Sequence, residues 1–226
     1  MTMSPGILGK KIGMTQIFRP NGEAVPVTLV KAGPCVVLQR KTPATDGYDA
    51  VQLGLIEGRK YATSKPMAGH VGEANVFKAD GGTKTRSNVK FITELRLGHS
   101  AAAGDIKKGD RVLCDQFKAG EIVDAIGVSK GKGFGGLVKR HHFRGGPASH
   151  GSMFHRAAGS IGGSSFPSRV FPGMRMAGQL GNGQVTVRNL EIVQIDAEDN
   201  VIMVKGAIPG PNGGYVVVRR AKQGRS

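Results

Sequence analysis

The chain has 226 residues, with 32 Lys and Arg against 16 Asp and Glu, a formal charge of +16 at pH 7 and a pI near 10.3. An imbalance of that size calls for a polyanionic partner, while 5% aromatic residues and the absence of tryptophan disfavour a single-strand binder built on stacking platforms. No apolar run approaches the ~20 residues of a membrane helix, and the opening Met1-Thr2-Met3-Ser4-Pro5 lacks a signal-peptide core, so no membrane partner and a cytoplasmic location are expected.

Taken in order, residues 6–55 read as short β-rich runs broken by turn chemistry. Ile7–Lys10 and Met14–Phe18 flank a glycine, and Pro20-Asn21-Gly22-Glu23 reads as a hairpin turn because Asn-Gly tolerates positive φ. Strands are expected at Ala24–Ala32, Val36–Lys41 and Ala50–Leu55, the last two joined across Asp46-Gly47. Residues 57–104 are polar and glycine-punctuated, with a short helix near Pro66–Asn75 and a strand at Phe91–Leu97, and are read as an insertion. Alternating apolar residues from Arg111 to Phe117, then Glu121–Ser129, Gln184–Asp196, Val201–Val204 and Tyr215–Arg220, predict further strands. Two lone cysteines without CxxC spacing, Cys35 and Cys114, read as small buried hydrophobes in a reducing compartment.

The expected fold is mainly β. A small antiparallel barrel comprises residues 1–56, 105–129 and 184–226, with an insertion at 57–104 and a long, glycine-rich basic extension at 130–183. Closure is the simplest solution because it removes the exposed edges that short strands leave.

From Ala125 to Leu190, 66 residues contain no Asp or Glu, yet carry nine Lys and Arg, four of the six histidines and fifteen of the 36 glycines. A segment that keeps cations and excludes anions must meet negative charge elsewhere, and a phosphate backbone is the first candidate. Gly135–Phe143 is compatible with a short helix carrying Lys139 and Arg140; beyond it, from Arg144 to Gly183, periodicity vanishes. So long a stretch without regular structure signals a functional loop or one ordered only on binding.

Enzymatic readings fail on context. Gly131-Lys132-Gly133-Phe134-Gly135-Gly136 matches G-x-G-x-x-G, but the next acidic residue is Glu191, too distant to hold a ribose, and the βαβ alternation is missing. The glycines are read instead as letting backbone N–H groups approach phosphates beside Lys130 and Lys132. His150 and His155 have zinc-like spacing without a cysteine pair or nearby carboxylate. Ala158-Gly159-Ser160-Ile161-Gly162 misses the nucleophile elbow at its first position. No cofactor, metal or small-molecule substrate is expected; a general basic nucleic-acid binder and a nucleotide-dependent enzyme using the glycine-rich turn are the alternatives.

Specific motifs carry a family resemblance. Gly9-Lys10-Lys11-Ile12-Gly13-Met14-Thr15, Ser129-Lys130-Gly131-Lys132-Gly133-Phe134, His150-Gly151-Ser152 with His155-Arg156, Gly159-Ser160-Ile161-Gly162, Met176-Ala177-Gly178-Gln179 and Val204-Lys205-Gly206-Ala207-Ile208-Pro209-Gly210 resemble, in order, the universal third protein of the large ribosomal subunit in its bacterial form. The resemblance implies a non-enzymatic protein that binds large-subunit rRNA early in assembly, packs beside other ribosomal proteins and sends its extension toward the peptidyl transferase centre. The rRNA-binding residues it implies, together with the charge pattern, are Lys10, Lys11, Lys130, Lys132, Lys139, Arg140, His142, Arg144, His150, His155, Arg156, Arg169 and Arg175, with the tip at Gly163, Ser164, Ser165 and Phe166. Two departures stand out: Ser165 occupies the tip position where some relatives carry a modified glutamine, and His141-His142 replaces a common Trp-Asn.

Overall fold

The computed structural model describes residues 6–72, 76–78, 85–97 and 106–221. Expectations for the first five residues, the helix end at Asn75 and the boundary near residue 105 lie outside the described residues. The chain divides into two compact units, residues 1–128 with 184–226 and residues 129–183.

The first unit is built on a closed barrel of six strands, every neighbouring pair antiparallel. In barrel order these are β1 (Gly6–Phe18), β13 (Tyr215–Arg220), β8 (Ile122–Val128), β11 (Gln184–Asp196), β12 (Val201–Lys205) and β2 (Ala24–Ala32). The hairpin turn forms, but of the Asn-Gly pair only Gly22 takes positive φ, at 82°, so it is not the type I′ turn that Asn-Gly favours; the Gly22 N–H reaches the Arg19 carbonyl at 2.8 Å, and the Glu23 N–H reaches Asn21 Oδ1 at 3.0 Å. The two runs expected on either side of Gly13 are one strand, β1, with a register shift between Lys11 and Gly13, a bulge that absorbs one extra residue.

A second sheet, in the order β5 (Val76–Lys78), β6 (Thr85–Arg96), β4 (Ala50–Ala62), β3 (Cys35–Lys41) and β7 (Arg111–Val112), lies outside the barrel. The expected division placed all of 1–56 in the barrel, whereas β3 and the first half of β4 belong to this sheet. The physical reason is two-sided burial. Cys35, Val36, Val37 and Leu38 are all buried; Cys35 and Val37 join the barrel's core, while Val36 and Leu38 pack with Val71 and Val89 on the opposite face. A strand sandwiched this way reads as a continuous apolar run. Val71 comes from the short helix α2 (Lys65–Val71), which caps that outer face.

The main core joins barrel residues such as Ile7, Leu8, Val30, Ile192, Ile202 and Val218 to Val51, Leu53 and Leu95 of the second sheet. One further expectation changes. The alternation after Arg111 is a two-residue strand followed by a 3-10 turn at Cys114–Gln116, which buries Cys114 and Phe117 without extending the sheet. Asp46-Gly47 closes a one-turn helix, α1 (Pro43–Asp46), with Gly47 at φ 80° as its left-handed cap. Both thiols are free and buried.

Candidate nucleic-acid interface

The chain leaves the barrel after Val128 and re-enters at Gln184, and these two residues are register partners on adjacent strands. Everything between is the second unit. Its base is a backbone ladder: Ser129 N–H to the Gly183 carbonyl at 2.9 Å, Lys132 N–H to Leu180 O at 2.9 Å and Leu180 N–H to Gly133 O at 2.9 Å, continued by β9 (Phe134–Gly135) against β10 (Gly178–Gln179). The glycines of this turn therefore serve close packing. A side chain at Gly181, where φ is 70°, would lie 2.1 Å from the Lys130 carbonyl, and one at Gly135 would meet the Leu180 side chain at 3.1 Å. The expectation that the turn offers free N–H groups to phosphates is corrected at Lys132, whose N–H is used in the ladder.

The helix expected at Gly135–Phe143 forms over Leu137–His141 as α3, ended by His142 in the left-handed region at φ 60°. Lys139 and His142 are exposed beside it, while Arg140 turns back. Its Nη1 donates to the Met176 carbonyl at 2.6 Å, and His141 Nε2 lies 3.0 Å from the same oxygen. Arg140 thus clamps the returning strand, and Gly178 leaves the space its guanidinium needs.

Beyond α3 the chain folds into turns without a core. Gly146 donates its N–H to the His155 carbonyl at 3.0 Å, and a Cβ at Gly146 would overlap the Phe154 carbonyl oxygen at 1.6 Å. His155 Nδ1 donates to the Pro147 carbonyl at 3.0 Å, and the residue is exposed. Gly163 approaches the Phe166 carbonyl so closely that a Cβ would lie 2.8 Å away; Ser164 bends the chain, and Ser165 and Phe166 open a turn that ends at Pro167.

Of the 55 residues in this unit only Gly135 is buried. Lys130, Lys132, Lys139, Arg144, His150, His155, Arg156, Arg169 and Arg175 are all exposed. They share that surface with Phe134 (79% exposed), Met153 (97%) and Phe166 (91%). Arg169 lies over the Phe171 ring at 5.2 Å. Eight Lys and Arg without one carboxylate, beside large bare apolar side chains, make a surface with no internal compensation for either its charge or its hydrophobicity.

Two expected residues lie in the first unit and differ in role. Lys10 is part-exposed, 3.9 Å from Glu57 Oε2 and 5.6 Å from the centre of the Tyr215 ring. Lys11 is corrected as a surface cation: it is 7% exposed, and its Nζ donates to the carbonyls of Ile208 and Gly210 at 2.9 and 3.2 Å. Alternation along a strand was the available signal, because consecutive residues point to opposite faces. Among the described residues no group of three or more His, Cys, Asp and Glu could hold a metal ion, and no helix is long and apolar enough to cross a membrane.

A barrel scaffold carrying a coreless cationic unit defines a structural protein, built to present charge. The model of the ribosomal protein L3 family matches residues 100–200. Over 222 residues the chain is 66% identical to large ribosomal subunit protein uL3 of Solibacter usitatus, covering 98% of this chain and all of that one. It is 50% identical over 220 residues to the uL3 protein of Geobacter sulfurreducens (96% and 97% covered) and 51% identical over 220 residues to that of Herpetosiphon aurantiacus (97% of each). The chain belongs to the ribosomal protein L3 family, and is a structural constituent of the large ribosomal subunit in the cytoplasm and not an enzyme.

Proposed function

We propose that this chain binds large-subunit rRNA early in subunit assembly, and that residues 130–183 are the part that penetrates the RNA. The single observation carrying the reading is that this unit holds eight cations, no carboxylate and one buried residue. Such a segment gains its missing compensation by threading between phosphates, where Lys and Arg neutralise charge and exposed rings stack on unpaired bases. Lys130, Lys132, Lys139, Arg144, Arg156, Arg169 and Arg175 contact phosphate; His142, His150 and His155 face nucleotides; Arg140 holds the path of the chain and contacts RNA with its remaining donors. The stretch Gly163, Ser164, Ser165 and Phe166 lies nearest the peptidyl transferase centre, and the barrel with its second sheet rests against rRNA and neighbouring ribosomal proteins.

The test is sedimentation of cell lysate through a sucrose gradient before and after a high-salt wash, with Lys132→Glu and Arg156→Glu variants alongside. The wild-type chain is expected to travel with large subunits and survive the wash, and both variants to lower subunit yield. Normal yield from both, or a chain that stays at the top of the gradient, overturns the reading.

A further inference from the structure

A cleft of about 500 Å³ opens in the first unit where the start of the barrel meets the second sheet, lined in part by Lys10, Lys31, Pro34, Leu55, Glu57 and Asn88. Its volume falls in the range of small-ligand sites, roughly 300–1,000 Å³. Three features distinguish it from an ordinary surface fold. Its charge is positive on balance: Lys10 and Lys31 enter from β1 and β2, and Lys90 lies 4.9 Å from the Tyr61 ring beside it. The carboxylate present, Glu57, is already held, accepting hydrogen bonds from Tyr61 OH and from Tyr215 OH at 2.7 Å and lying 3.9 Å from Lys10 Nζ, which leaves Lys31 as the lining cation without a carboxylate beside it among the described residues. Asn88, on β6, has a buried Oδ1 with no hydrogen-bond partner among the described residues.

An unsatisfied buried acceptor costs free energy, and a native structure tolerates it where a ligand or water completes the bond. The terminal torsion of asparagine is soft, so a donor arriving in the cleft draws Oδ1 outward at little cost. The ligand that matches must supply an anion for the lysines, an N–H donor for Asn88 and a flat apolar body to cover the part-buried Pro34. We propose that the cleft receives a single unpaired nucleotide of the rRNA, its phosphate on Lys10 and Lys31 and its base edge on Asn88. This rests on the rRNA-binding function proposed above, but assigns a site separate from residues 130–183. A duplex is excluded by size; an extruded base on a single-stranded loop or bulge is what proteins read in RNA by its hydrogen-bonding edge.

The experiment measures binding of the full chain to a large-subunit rRNA transcript over a range of salt, for the wild type, Asn88→Ala, Lys31→Ala and Lys132→Glu, with thermal melting of each protein. Asn88→Ala is expected to weaken binding about tenfold with the salt slope unchanged, and to leave the melting temperature equal or higher because it deletes an unsatisfied group. Lys31→Ala is expected to lower the slope by about one. If both cleft variants bind as the wild type does while Lys132→Glu binds weakly, the cleft assignment is overturned and the rRNA-binding function stands. If Asn88→Ala melts lower in proportion to its weakened binding, Asn88 is a folding residue and the assignment falls. Failure of the wild type to bind overturns both.

Discussion

Lys11 shows how little a residue's type says about its task. Its ammonium is buried and caps the carbonyls of Ile208 and Gly210, which are almost two hundred residues away in sequence. Hydrogen bonds from a charged donor contribute about 1.5–3 kcal/mol, and losing the donor strands two acceptors. Lys11→Met is therefore expected to cost about 2 kcal/mol and lower Tm by about 4–8 °C, where Lys10→Ala changes it little; equal melting of the two variants contradicts the burial argument. Glu57 gives a pH prediction. Burial pushes its carboxyl up, but hydrogen bonds from Tyr61 and Tyr215 and the charges of Lys10 and Lys90 outweigh it and hold the group below the ordinary 4.5. A depressed folded pKa contributes stability that is present above the unfolded value and is lost as pH falls through the folded one. Tm should drop as pH falls from about 4.5, and Glu57→Gln should flatten that part of the acid limb. At the thiols burial prevails and favours the protonated form: it pushes Cys35 up to about 12 and, with the neighbouring Asp115, Cys114 to about 11.

β11 carries the strand pairing on both sides of its register break. Between Val187 and Leu190 its pairing with β8 shifts, with Asn189 in the left-handed region at φ 56°. The displaced Asn189 N–H is accepted by Asp124 Oδ1 at 3.2 Å, and Asp124 Oδ2 accepts from Arg219 Nη2 on β13 at 3.2 Å. One nearly buried carboxylate therefore ties three barrel strands at the bulge. Removing it leaves Arg219 and an amide without their acceptor; since Arg219 is partly solvated, Asp124→Ala is expected to cost about 1–3 kcal/mol, read by denaturant or thermal unfolding. Asp124→Asn, which keeps an acceptor, should cost less. A full-strength Asp124→Ala barrel would mean that the bulge needs no such tie.

The division into two units predicts separable behaviour. Val128 and Gln184 are adjacent register partners, so a short glycine linker in place of residues 129–183 spans the gap without moving β8 or β11. The deleted chain should keep a cooperative melt within a few degrees of the full one, because the apolar core lies in the first unit. Its rRNA affinity should depend less steeply on salt, the slope falling by about 0.7 to 0.9 for each phosphate that residues 129–183 would have neutralised. Loss of the barrel on deletion, or an unchanged slope, would each contradict that division of labour.

Much of this was legible in the residues because it depends on local chemistry. β-rich runs set off by turn residues marked Ala24–Ala32 and Tyr215–Arg220 with the bounds the strands have, Asn-Gly marked its turn, and the acid-free run marked the cationic unit. Those signals are short-range or compositional, and survive any arrangement of the chain. What needed the tertiary structure was every choice made between distant segments. A continuous apolar run such as Cys35–Leu38 fits a barrel wall or a middle layer equally well, and only the second core against Val36 and Leu38 decides it. Whether a lysine meets solvent or a carbonyl depends on which loop passes over its strand, as Ile208–Gly210 passes over Lys11 and not Lys10. The cleft that joins Lys31, Glu57 and Asn88 has no motif, because it exists where β2, β4 and β6 come together in space.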